Sequence, residues 1–185
     1  MKFVNITYFV HGTTTDNEKG IATGWSSGEL SELGRKQCIE LGELIRNNGF
    51  DVAFSSDLKR TVDSAALMFK GYVNIMQDGR LREINLGDLT RTTSKKIDSI
   101  MLKHINKPFL NGESCMNVEK RVSSFLNDLL KKYAEKNVAI VSHRVPQLAL
   151  EVLINNKSWE QAIEEDWRLK KPKQWEPGWK YEFKK

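Results

Sequence analysis

Three short runs constrain this chain more than any other feature: NITYFV (5–10), DVAFSS (51–56) and NVAIVSH (137–143). Each has the length and the β-branched or aromatic content of a buried strand, and each ends in residues that can face solvent or ligand. Helical periodicity fills the intervals. Leu33, Cys38, Leu41, Leu44 and Ile45 make one apolar stripe, with Ser31 as N-cap and Gly49 as the stop. Val118, Val122, Phe125, Leu126 and Leu129 make a second after GES, and Ser56 and Asp57 are placed to cap a third helix carrying Val62, Ala65, Ala66 and Phe69. Weaker strands are predicted at Val73–Ile75 and Lys180–Phe183. Strands alternating with helices predict an α/β fold whose sheet is mainly parallel. Ligands of such sheets gather at the carboxyl ends of the strands.

Bulk properties narrow the function classes. With 185 residues and 39% apolar content, the chain has enough core for one domain, and wholesale disorder is excluded. Residues 1–185 read as a single unit, with a Trp-rich segment at 158–185 packed on it. The net charge of +5 comes from scattered basic residues, so no nucleic-acid partner is expected. MKFVNITYFV has no small-residue cleavage site and reads as a first strand. No apolar run reaches membrane-spanning length, so a cytoplasmic location and no membrane partner are expected. Cys38 and Cys115 lack CxxC spacing and read as buried thiols. No coiled-coil repeat points to a particular oligomer.

Chemistry collects where the three runs end. The first ends in His11-Gly12, the second in Ser55-Ser56 leading to Arg60, and the third in Ser142-His143-Arg144. If the strands are neighbours, two histidines and two arginines converge on one rim. There is no HxH or HExxH to bind metal and no GxSxG elbow to carry a serine nucleophile. Two imidazoles with guanidinium groups suit a phosphoryl dianion: one histidine attacks phosphorus and the other holds an oxygen. The leaving alkoxide needs a proton, for which Glu83 in LREINLGDL is the first candidate and Asp88 the reserve.

Five ordered blocks, HGTTTDN, TGWSSGELSELGRKQ, FSSDLKRTVDSA, LREINLGDL with NGESCMNVEKRV, and VAIVSH, resemble the histidine phosphatase superfamily, or phosphoglycerate mutase-like family. The resemblance spans most of residues 3–155. It implies a three-layer α/β/α sandwich that needs no metal or other cofactor. It also implies that His11 is the nucleophile, Glu83 the proton donor and His143 the second histidine. Arg60 and Asn17 would bind the phosphate beside Gly12, and Thr23 and Gly24 would lie on the loop that covers a small phosphorylated metabolite or phosphopeptide.

Two departures bear on activity. The family opens with Arg-His-Gly, but Val10 holds the arginine position here; a buried charge left without its partner costs about 3–5 kcal/mol. A loss of that size in the transition state slows a reaction roughly a hundred- to several-thousand-fold. Conversely, Arg144 stands where the family usually has glycine. Either Arg144 supplies the charge that Val10 removes, or it points to solvent or pairs with an acid. The chain is therefore expected to be a metal-independent phosphomonoester hydrolase working through phosphohistidine. A catalytically weak or inactive phosphate- or phosphopeptide-binding module is the rival that Val10 favours. A phosphoglycerate mutase is disfavoured, because only residues 84–111 separate Glu83 from Gly112 and no paired arginines lie there to grip a carboxylate. His104 is assigned no role. Trp159, Trp167, Trp175 and Trp179 are expected to pack on the domain and close the sheet edge, with Trp175 and Trp179 as ring contacts if the tail instead covers a substrate.

Overall fold

Alternation along the strands sends side chains to two separate cores. The computed structural model describes residues 2–170 and 178–185. Its strands are β1 (Phe3–Val10), β2 (Val52–Ser55), β3 (Ile75–Gln77), β4 (Asn137–Ser142) and β5 (Trp179–Lys184), in the sheet order β3-β2-β4-β1-β5. The first four are parallel, and β5 runs antiparallel along β1. Ile6, Tyr8, Val10, Phe54 and Ile140 enter one core, while Phe9, Ala53, Ala139 and Val141 enter the other. This is the period-two reading of a sheet covered on both faces.

Helices cover both faces. The elements are α1 (Thr15–Glu18), α2 (Glu32–Ile45), α3 (Lys59–Phe69), α4 (Ser94–Ile100), α5 (Cys115–Lys132), α6 (Arg144–Leu153), α7 (Trp159–Glu164) and α8 (Trp167–Lys170). α5 and α6 fill the larger core, and α2 and α3 the smaller. The three-layer expectation therefore holds. The predicted stripe of α5 is buried throughout, and its N-cap Ser114 forms a capping box with Asn117.

The α2 stripe needs correction. Ser31 does cap it, but the helix ends at Ile45, before Gly49, and Leu33 and Leu44 are 53% and 77% exposed. Gly34 and Gly42 take the inner face instead. A Cβ on Gly34 would stand 1.9 Å from the carbonyl oxygen of Thr13, and one on Gly42 would stand 2.4 Å from that of Met68. Backbone contact, rather than side-chain bulk, seats this helix. α3 is likewise turned from its expected face: Arg60, Thr61 and Ser64 are buried with Ala65, while Val62 and Ala66 are not. Its first residue follows Leu58, which offers no side-chain cap; Ser56 accepts the Leu58 N–H, and Asp57 pairs with Arg82.

At the carboxyl terminus Trp159 is buried in the larger core, and Trp179 meets Tyr8 edge-on at 6.4 Å between ring centres. β5 closes the β1 edge, as expected of the tail. Trp175 lies outside the described residues. Both cysteines are free and buried. Among the described residues no helix is long and apolar enough to cross a membrane.

Because the α2 backbone touches the loop that follows β1, Gly34→Ala is expected to destabilise the fold by about 1–3 kcal/mol through overpacking. Leu44→Ala, on the exposed face, should stay within about 0.5 kcal/mol of wild type. Urea unfolding of the two variants checks this.

Candidate active site

Strand order brings the three predicted rims together. β4 lies between β2 and β1, with Val10 paired to Ser142 and Ser55 to Val141. The residues that follow, His11, His143 and Ser56, leave the sheet at one level. His11 opens on a cavity of about 690 Å³ that Val10, Asn17, Arg60, Glu83 and Arg144 also line.

His11 is partly exposed, and its Nδ1 lies 2.8 Å from the Gly12 carbonyl oxygen. In the tautomer that donates Nδ1–H there, Nε2 carries the lone pair. Burial, reinforced by the nearby Arg60 charge, pushes the imidazole from its ordinary 6.5 down to about 3, against the opposing pull of the Gly12 carbonyl. Gly12 allows this approach: a Cβ there would stand 2.5 Å from the Gly34 carbonyl oxygen.

His143 stands behind His11, its ring edge-on at 5.2 Å between centres. It is fully buried and does not itself line the cavity. Tyr8 fixes it by donating its hydroxyl to the His143 carbonyl oxygen (2.7 Å) and accepting the His143 N–H (3.1 Å). The Ser56 hydroxyl lies 2.7 Å from Nε2. If Ser56 donates, Nδ1 carries the proton, and that nitrogen is buried without a hydrogen-bond partner among the described residues. Burial first, then Arg60 and His11, holds His143 well below the usual histidine range. Tyr8 carries no sequence signal for this role, whereas Ser56 could be found in the FSSD block.

Arg60 is buried, at 2% exposure, on the first turn of α3. It donates to the carbonyl oxygens of Gly24 (2.7 Å) and Ser26 (3.2 Å) and has no carboxylate partner among the described residues. Burial lowers its pKa to about 10, a shift that Glu83 and Asp16 oppose, so it remains a cation. The loop it grips is tied down elsewhere. Thr23 donates its hydroxyl to Asp16, which also takes both nitrogens of Arg91 at 3.0 and 3.1 Å. Asn17 spends its side-chain oxygen on the Thr14 N–H in a capping box yet still lines the cavity.

Glu83 is held as a lever. Its Oε1 accepts the N–H groups of Ile84 (2.8 Å) and Val145 (3.1 Å), the second on the first turn of α6. Oε2 has no hydrogen-bond partner among the described residues. The backbone carbonyl of Glu83 accepts from Trp25 Nε1 (2.6 Å) and from Arg121 (2.9 Å), and Arg121 pairs with Glu113. Sequence reasoning missed Trp25 and Arg121, although both lie in the quoted blocks. Asp88, the reserve acid, bonds Asn111 and does not line the cavity. His104 stacks on Phe109, outside the site.

Arg144 lines the cavity, but its guanidinium is engaged. Asp166 takes its Nε and Asp98 takes Nη1 at 2.8 Å, while Arg168 binds the same two aspartates. The pairing alternative is the one the geometry presents. Val10 sits in the cavity wall as an apolar group, 6% exposed.

Two imidazoles, a buried guanidinium and a carboxyl at the carboxyl edge of a parallel sheet define an anion-handling site. The family model of the histidine phosphatase superfamily, branch 1, matches residues 8–173, and the chain belongs to that family. It is 30% identical over 149 residues to phosphoserine phosphatase 1 of Hydrogenobacter thermophilus, covering 76% of this chain and 71% of that protein. Identity is 41% over 86 residues to the 2,3-bisphosphoglycerate-dependent phosphoglycerate mutase of Lactococcus lactis subsp. cremoris, but this covers only 43% and 37% of the two chains. The mycobacterial glucosyl-3-phosphoglycerate phosphatase structure superposes with a TM-score of 0.75 at 25% identity, covering 88% of this chain and 84% of that one.

A histidine held neutral in the fold and protonated when unfolded contributes stability above its unfolded value of 6.5, and that contribution is lost as pH falls toward about 3. His143 acts in the same direction. The His11 ring proton signals are therefore expected to stay flat in NMR between pH 7 and 5, with unfolding free energy declining below pH 6.5. A His11 midpoint near 6.5 would contradict the burial assigned to it.

Proposed function

We propose that this chain is a phosphomonoester hydrolase that works through phosphohistidine on His11. The observation that supports it best is Arg60, a buried cation bound, among the described residues, only to carbonyl oxygens and opening on the same cavity as the neutral His11. A buried charge without a counter-ion is costly unless an anion completes it. A phosphoryl dianion between Arg60 and His11 does so.

The sequence of events follows from the donors in place. His11 Nε2 attacks phosphorus in line; the P–N bond forms as the bond to the leaving oxygen breaks. Glu83 gives that oxygen a proton. With Oε1 occupied by two N–H donors, Oε2 is the oxygen that carries it. Water then attacks phosphorus, Glu83 takes back a proton, and inorganic phosphate leaves with His11 regenerated. Arg60 stabilises the equatorial oxygens, His143 backs the His11 ring, and Asn17, Thr23 and Gly24 shape the pocket. Arg144 supports the wall as a paired cation. No step needs a group from outside the chain other than substrate and water.

Val10 favours a second reading, a phosphate-binding module without turnover, because an apolar wall replaces one charge that would stabilise the transition state. Turnover of p-nitrophenyl phosphate in EDTA separates the two. Steady release is expected, falling at least about a thousandfold in His11→Ala. Glu83→Gln should lose roughly a hundred- to ten-thousandfold on alkyl phosphates and less on the nitrophenyl ester, whose leaving group needs little protonation. Wild type as inert as His11→Ala, with inorganic phosphate still raising the melting temperature, would establish the binding module instead.

A further inference from the structure

The charges around the cavity are distributed unevenly. Arg60 faces it without a carboxylate partner among the described residues, whereas Arg144 and Arg168 are each shared between Asp98 and Asp166. Among the described residues no lysine lines the cavity, and Glu18 and Asp98 do. A second anionic group on the substrate would have to displace an aspartate that stays tethered nearby, or approach these acids unpaired. Beside uncharged polar residues such as Asn17, Gln37 and Ser94, one part of the wall is the surface of the larger core, where Val10, Ile97, Met101 and Val145 line the cavity together with Trp167. At about 690 Å³ the cavity has the size of a site for a whole small molecule, well beyond a phosphoryl group alone.

We infer that the substrates are phosphomonoesters whose alcohol portion is uncharged and largely apolar, seated against the Val10–Ile97–Met101–Val145 wall. This inference rests on the hydrolase reading. The replacement of arginine by valine at position 10 then has a positive consequence beside the lost transition-state charge: it adds apolar surface for the leaving group. Burial of such a body against the wall contributes binding that a carboxylate or second phosphate forfeits through desolvation and repulsion. Discrimination comes from both the favourable contact and the unfavourable charge placement.

The test compares kcat/KM of the wild-type chain for benzyl phosphate, 3-phosphoglycerate and O-phosphoserine. All three release a primary alkoxide, so leaving-group quality does not decide the order. Benzyl phosphate is expected to exceed each charged ester by at least about tenfold. Val10→Arg should lower the ratio of benzyl phosphate to 3-phosphoglycerate by a similar factor, and the wild-type comparison stands even if that variant does not fold. A wild-type ratio under tenfold, or an unchanged ratio in folded Val10→Arg, overturns the substrate class. If His11→Ala still abolishes turnover, the hydrolase reading survives that result. Absence of His11-dependent turnover of all three esters and of p-nitrophenyl phosphate would overturn the hydrolase reading, and this inference with it.

Discussion

The Arg60 guanidinium organises the rim because the protein buries its charge while satisfying it, among the described residues, only with dipoles. Its donors go to the carbonyl oxygens of Gly24 and Ser26, so one side chain both grips the covering loop and projects positive potential into the cavity. That potential acts on everything within reach. It helps hold both His11 and His143 below the ordinary histidine range. The same field favours an anion between them. In the proposed reaction, anion binding and the nucleophilicity of His11 then share one electrostatic origin.

A second framework places Glu83, the proposed acid. Arg121 ties the Glu83 backbone to Glu113, Trp25 donates to the same carbonyl, and the first turn of α6 fixes one carboxyl oxygen. Neither framework uses Arg144. That residue belongs to a four-membered ion cluster in which Asp166 is wholly buried, and its charges cancel locally. The cavity is consequently divided into a charged end at Arg60 and an end whose polar groups are mutually satisfied around apolar surface.

Much of this was legible in the sequence where period and spacing carry physical meaning. The three strand ends converge because buried runs of this kind form adjacent parallel strands, and Glu83, His11 and Arg60 fall on one cavity as the family resemblance implied. What could not be read depends on contact between segments distant in sequence. Leu33 and Leu44 fit an apolar stripe, yet backbone contact at Gly34 and Gly42 turned the helix away from them. The paired exchange of Val10 and Arg144 invited a compensation argument, but Asp98 and Asp166, remote in the chain, occupy the guanidinium. Tyr8 read as an ordinary strand aromatic; its hydroxyl meets the His143 backbone only because β1 and β4 are neighbours.

In the proposed reaction phosphorus is transferred to His11 in a site that lacks the neighbouring arginine. Rapid acid-free quenching during turnover of a ³²P-labelled phosphomonoester, followed by peptide mapping, tests it directly. The account requires a transient label stable to alkali, labile to acid and located on His11. Turnover without any protein-bound phosphate, or a label on a different side chain, would contradict it.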